Sequence, residues 1–327
     1  MLQYNLSINK KIQLMPIVDE SSIQDIMMLY KSNALTNEQK NRTFTRSCKL
    51  GLFEFAKWIY DFMGKPKELL LIGDAAGFRW ACESGKENIA KWIFNESVLQ
   101  NCTIDIRCRD DYAIRNSAKN GYTNIFLWLF DLMNELYNCS YNIANLEYQV
   151  YRWACEYGHL DMVKLLLELD PKIKNNIIFE YPFRRACANG HLHVVKFLLT
   201  NFDVNISELN DYAFYNAFKN GHKNITKFLL ELDANIFNYI NVSKLVRDTC
   251  SNNNLKIILW LYQKFPSIQI DYDTILRKVC KLNHHKMFKW ILETQKDIDV
   301  HQHNDFLLKH AKINNNIIML ELLNKYK

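Results

Sequence analysis

The stretch RACANGHLHVVKFLL, residues 185–199, brings one thiol and two imidazoles, Cys187, His191 and His193, close together. Thiolate and imidazole are the common ligands of zinc, so the triplet could be read as part of a metal site. His284-His285 and His301-x-His303 repeat that chemistry more sparsely. GDAAG, residues 73–77, offers two glycines of the kind that let a backbone cradle phosphate. It lacks the Gly-Lys-Ser/Thr ending of a phosphate loop, so a connector bend is expected there. No nucleophile elbow, metalloprotease helix or dinucleotide fingerprint occurs.

The elements that must position these residues decide the zinc question. FTRSCKLGLFEFAKWI from Phe44 recurs as FRWACESGKENIAKWI from Phe78, IRNSAKNGYTNIFLWL from Ile114 and YRWACEYGHLDMVKLL from Tyr151. Further copies are FRRACANGHLHVVKFL from Phe183 and FYNAFKNGHKNITKFL from Phe214, with weaker ones from Val246 and Leu276. A ninth, from Leu307, fits with one residue inserted near Asn314, and the spacing runs between 30 and 37 residues. Each copy reads as two amphipathic helices split by a glycine. In the copy at 183, Phe183, Ala186 and Cys187 fall on one face of the first helix. Gly190 ends it in the left-handed conformation that glycine adopts freely. Val194, Val195, Phe197, Leu198 and Leu199 are apolar positions of the second. Asn253, Asn283 and Asn314 stand where glycine is missing, and asparagine is the next most tolerant residue there.

Within this register cysteine takes one position six times, as Cys48, Cys82, Cys155, Cys187, Cys250 and Cys280, where other copies have Ala118, Phe218 and Ala311. The position calls for a small or apolar packing residue, and a buried free cysteine serves as one. The histidine varies independently: Lys86 follows Cys82, and Phe218 precedes His222. A helix break lies between the two residue types, so their spacing does not place them on one face. The motif is architectural, and no catalytic residue, cofactor site or metal site is assigned. Disulfides between register cysteines are not expected, because packed helices sit about 10 Å apart and a bridge needs Cα atoms within about 7 Å. Cys102, Cys108 and Cys139 fall outside the register and could pair locally, but free thiols suit a reducing compartment.

Two further ladders follow the repeat. Arg79, Arg115, Arg152, Arg184, Arg247 and Arg277 share the position after the first apolar residue. They could bind anions, but bonding to carbonyls or acids of an adjoining loop is the better reading. Arg79 with Glu83, and Arg152 with Glu156, also have the i,i+4 spacing of a helix pair. Trp58, Trp92, Trp128, Trp260 and Trp290 share a second-helix position with Leu165, Phe197 and Phe228, which marks it as core and not as a base-stacking stripe.

The 41 basic and 35 acidic residues give a net charge of +6, spread along the chain and not concentrated in an arm, which offers no more than weak support for nucleic acid as the partner. The opening residues lack the apolar stretch of a secretion signal, and nowhere do eighteen apolar residues run together. A monomeric cytoplasmic protein with no membrane association is expected.

The repeat resembles the ankyrin repeat, a turn plus an antiparallel helix pair. YPFRRACANGH from Tyr181 matches the family's opening pattern, with Pro182 at the proline and Gly190-His191 at the Gly-His pair, and LLELDANIF from Leu229 resembles its turn, with Asp233 where glycine is usual. Arginine replaces the family histidine in most copies. The resemblance implies an all-α ankyrin solenoid of about nine repeats over residues 41–327, and this arginine- and asparagine-rich form is similar to ankyrin proteins encoded by large DNA viruses of amoebae. Residues 1–40 would supply an N-terminal cap, with a short helix from Ile17 capped by Ser21 or Ser22.

Such an array implies no catalysis of its own and binds a partner protein, here of unknown identity with a host-cell protein among the candidates, through its concave face and turn tips. The first-helix positions before each glycine are Glu83, Ser84, Glu156, Tyr157, Ala188, Asn189, Lys219 and Asn220, and the turn positions are Asp110, Tyr112, Asn210 and Tyr212. None is required by the apolar period or the helix break, so the sequence leaves them for recognition. The alternative is a substrate-binding adaptor of a ubiquitin ligase, with LMPIVDESSIQDIMMLY as a degenerate F-box-like segment; nucleic-acid binding through the arginines is a third class.

Overall fold

The computed structural model describes residues 20–137, 148–176, 179–266, 268, 271–295 and 298–325. Among these, twenty α-helices and no strands are formed. Helix α1 (Glu20–Lys31) precedes the repeats. The helix pairs are α2 (Asn37–Leu50) with α3 (Phe53–Phe62), α4 (Lys67–Glu83) with α5 (Glu87–Leu99), and α6 (Cys108–Lys119) with α7 (Thr123–Tyr137). Then come α8 (Gln149–Glu156) with α9 (Leu160–Leu169), and the single turn α10 (Ile173–Asn176). After it stand α11 (Glu180–Asn189) with α12 (Leu192–Asn201), α13 (Glu208–Lys219) with α14 (Lys223–Leu232), and α15 (Val242–Ser251) with α16 (Leu255–Lys264). The last pairs are α17 (Tyr272–Lys281) with α18 (His285–Thr294), and α19 (Gln302–Ile313) with α20 (Ile317–Lys325). Among the described residues the chain is all-α, built of the antiparallel helix pairs that the sequence implied.

The chain divides into two compact units, residues 1–154 with 161–173, and residues 155–160 with 174–327. In the first, α2, α4 and α6 pack in a row, each backed by its own second helix. In the second, α11, α13, α15, α17 and α19 form the corresponding row. All nine residues at the cysteine register position are fully buried. Burial pushes the Cys250 thiol up to about 12 and the Cys280 thiol to about 11, so neither carries thiolate at neutral pH. Cys102 and Cys108 are free, and Cys139 lies outside the described residues.

The helix break falls where the pattern put it. Gly190 has φ +90°, and Asn253 and Asn283 both have φ +59°. The last copy corrects the register by one: Asn314 is right-handed at φ −82°, and Asn315 takes the left-handed place at φ +49°. The single-residue insertion accounts for the shift. GDAAG forms a bend, with Gly73, Asp74 and Ala75 left-handed inside α4. At the N-terminus, α1 begins at Glu20, so Ser21 and Ser22 sit inside its first turn and not ahead of it as caps. Tyr30 is fully buried, donates to the Lys40 carbonyl at 2.9 Å and packs edge-on to Trp58 at 5.6 Å. A capping box at Thr36 and Gln39 then starts α2.

Of the five second-helix tryptophans, Trp260 is buried and the other four are half-buried. They pack edge-on to neighbouring rings: Trp92 to Phe53 at 5.7 Å, Trp128 to Phe94 at 6.1 Å and Trp290 to Tyr262 at 5.4 Å.

Candidate functional site

A helix ends with carbonyls that have no partner of their own, and several first helices here borrow one from the following repeat. Asn120 Nδ2 donates to the Glu83 carbonyl at 2.8 Å, Asn189 to Glu156 at 2.9 Å and Asn220 to Ala188 at 2.7 Å. The residue after the left-handed position adds a second tie in three copies. His222 Nε2 meets the Ala188 carbonyl at 2.9 Å, Asn254 Nδ2 donates to Lys219 at 2.8 Å, and His284 Nδ1 meets the Cys250 carbonyl at 3.0 Å. These side chains also lie over the preceding glycine. A Cβ on Gly158 would collide with His191, one on Gly190 with His222 and one on Gly221 with Asn254. Glycine is therefore held by both its φ and its neighbour.

This geometry answers the zinc question. His191 faces Gly158, His193 Nε2 meets the Gly158 carbonyl at 2.8 Å, and Cys187 is buried among the helices. Among the described residues no group of three or more His, Cys, Asp or Glu side chains could hold a metal ion. His301 is instead paired with Asp305 at 2.7 Å and His303 with Asp273 at 3.1 Å.

The arginines tie turns to helices. Arg79 is buried and donates to the carbonyls of Gly73 at 2.7 Å and Asp74 at 2.8 Å, closing the left-handed bend within α4. Arg115 pairs with Asp110 and reaches Gln149 at 2.6 Å; Arg277 pairs with Asp273 at 2.9 Å. The intrahelical pairs expected from spacing give way to contacts between repeats. Glu83 accepts from the Tyr112 hydroxyl at 3.0 Å, and Glu156 pairs with Arg185.

The positions expected for recognition therefore divide. Tyr157 is 44% exposed and Tyr212 is 37% exposed. Asn189 and Asn220 are exposed and Lys219 half-exposed, with backbone or amide groups already in the inter-repeat ties. Glu83, Asp110, Tyr112 and Glu156 lie at the surface but are engaged by Lys49 and Tyr112, Arg115, Glu83, and Arg185 respectively. Ser84 is the half-exposed C-cap of α4. Ala188, only 6% exposed, is covered by the next repeat and offers little surface. The side chain of Asn210 lies outside the described residues.

The sequence reading passed over several residues on these faces. Trp80 and Trp153 lie on the first helices of the first unit, with Lys49 5.7 Å from the Trp80 ring and Lys119 5.7 Å from that of Trp153. Their signal was a tryptophan one position past the arginine ladder. In the second unit, Tyr239 follows a 3₁₀ turn at Ile236–Asn238 and is 65% exposed. Phe237 pins that turn between Phe214 at 5.4 Å and Phe265 at 4.9 Å. An Asx turn opens most connectors: Asp105, Asp170, Asn205, Asp233 and Asp299 each accept from the backbone N–H two residues on, at 2.9–3.1 Å. Asp233 itself is extended at φ −137°, so the turn has no need of the family's glycine there.

The repeats that this geometry defines have a family. Residues 78–177 and 152–239 match the family model described as ankyrin repeats (3 copies). That stretch of the chain consists of ankyrin repeats, a repeat family typically non-catalytic and typical of protein–protein interaction scaffolds. No curated protein matches the chain significantly. The similarity to repeat proteins of amoeba viruses gains no support from either comparison. No helix among the described residues is long and apolar enough to cross a membrane.

Proposed function

We propose that the chain is a non-catalytic scaffold that binds a partner protein through the first-helix row and the turn tips beside it. One observation carries this reading. The interior positions of each repeat are filled by buried apolar residues, yet Tyr157, Tyr181, Tyr212 and Tyr239 remain exposed at the ends of first helices and the turn before α15. Exposed aromatic side chains on rigid elements are the usual anchors of protein interfaces, because they bury large area at small entropic cost. Residues 1–40 act in this reading as the N-terminal cap, with Ile26, Tyr30 and Leu35 covering apolar surface that the first repeat would otherwise expose.

The test is affinity capture from cell extract with the wild-type chain and with Tyr157→Ser, Tyr212→Ser and Lys219→Ser combined. Specific partners should be captured by the first and lost by the second, with the melting temperature unchanged. Partners held equally by both would place binding elsewhere.

A further inference from the structure

The second unit contains a groove of about 580 Å³ whose walls are Tyr212 and Tyr215 from α13 and Tyr239 from the following turn. Leu209 and Tyr239 form its rim and stand 62% and 65% exposed. Asn241 caps α15 by accepting from the Lys244 N–H at 2.8 Å, which fixes Lys244 in the first turn with its ammonium 5.9 Å from the Tyr215 ring. Among the described lining residues, that ammonium is the one formal charge. Asp248, one turn further along α15, accepts from the Tyr215 hydroxyl at 2.6 Å and faces Lys278 at 3.9 Å. A second cation adjoins the groove, the Arg184 guanidinium 5.6 Å from the Tyr212 ring.

Apolar walls with the Lys244 ammonium among their lining call for an occupant that is apolar in one part and anionic in another. Small-molecule sites bury most of their ligand's surface, whereas the rim residues Leu209 and Tyr239 here stand mainly in solvent, which suits a segment of a larger partner. Tyrosine and asparagine side by side give large contact area with adaptable hydrogen bonding. We infer that the groove between Tyr212, Tyr215 and Tyr239 seats a short acidic peptide segment of a partner protein, with an aromatic or large aliphatic side chain between the rings and an adjacent Asp or Glu carboxylate on Lys244. The inference rests on the scaffold reading and adds the chemistry of the partner.

The test begins by panning the full chain against a random dodecapeptide phage library, then measures the enriched peptides by fluorescence anisotropy on four proteins: wild type, Lys244→Glu, Tyr239→Ser and, as the control in the first unit, Leu99→Ser. All three substituted side chains are surface groups, and circular dichroism verifies the fold. The enriched peptides should carry Asp or Glu next to a large apolar residue. Affinity should fall about tenfold or more on Lys244→Glu and Tyr239→Ser and stay unchanged on Leu99→Ser. Exchanging the peptide's acidic residue for Lys should recover binding to Lys244→Glu. Peptides without an acidic residue, peptides indifferent to Lys244→Glu, or no enrichment at all would overturn the inference. So would a fluorescein-labelled oligothymidylate whose binding is lost with Lys244→Glu, which would assign the groove to nucleic acid. Peptides indifferent to both groove variants would remove the groove and leave the scaffold reading standing, and the triple-variant capture decides that reading separately.

Discussion

His222 donates from Nε2 to the Ala188 carbonyl at 2.9 Å while its ring lies over Gly190 of the repeat before it. One side chain thus satisfies a helix end and fills the space a glycine leaves open, which is how two repeats acquire a single relative register.

Gly190→Ala should cost more than Gly64→Ala. Both glycines have positive φ, +90° and +81°, so each substitution carries the left-handed penalty of about 1–2 kcal/mol. Only at Gly190 would the new Cβ come within 2.6 Å of His222, whereas nothing lies within 4 Å at Gly64. Thermal melting and local hydrogen exchange measure the difference. Equal losses would mean that the histidine contact contributes nothing to the choice of glycine.

Arg79→Ala should strand the Gly73 and Asp74 carbonyls, at a cost of about 1–3 kcal/mol if water cannot replace the guanidinium. Arg79→Lys should recover only part, since an ammonium cannot reproduce the planar fork that spans two carbonyls. Chemical denaturation checks both variants, and a neutral Arg79→Ala would remove the structural reading of this arginine.

Alkylation of the native protein with iodoacetamide, read by mass spectrometry, should modify Cys102 and Cys108 before any of the six register cysteines. All six register thiols are fully buried and lack access, and burial raises Cys48, Cys82, Cys187, Cys250 and Cys280 so that they also lack nucleophilicity. Burial also raises the Cys108 thiol, which should slow it relative to a free thiol. Early labelling of Cys187 would show that the helix pair opens locally.

Burial, helped by the neighbouring His193, holds His191 below the ordinary histidine value. The unfolded chain then takes up a proton near pH 6.5 that the folded chain resists, so folding binds fewer protons. Stability from this site is full above about pH 6.5 and is lost as pH falls toward the folded value. His191→Asn, which installs the side chain that Asn254 and Asn316 present at the same position, should melt at a temperature less sensitive to pH between 7.5 and 5. Parallel profiles would show that His191 does not titrate differently on folding.

Much of this architecture was legible in the sequence, for a physical reason. A helix pair needs apolar residues at fixed spacing and a left-handed residue at the break, and both demands restrict residue type strongly. Phe183, Cys187 and Gly190 are therefore readable one copy at a time. The contacts between repeats were harder to read. Glu156 has an arginine four residues earlier, and the spacing suggested an internal pair, yet it pairs with Arg185 of the following repeat. Spacing along one helix says nothing about the side chains arriving from its neighbour. Ala188 was misjudged for the same reason, being surface on an isolated pair and covered once Asn220 and His222 arrive. Tyr239 escaped notice because it lies in a turn with no periodic pattern, positioned only by the burial of Ile236 and Phe237's packing against Phe214 and Phe265.

The most direct measurement is a hydrogen-exchange footprint of the chain with and without a captured partner. The scaffold account predicts slowed exchange in the first helices and turns of the second unit, foremost residues 208–219 and 236–244. Protection confined to the second helices, Leu192–Asn201 and Lys223–Leu232, would contradict it.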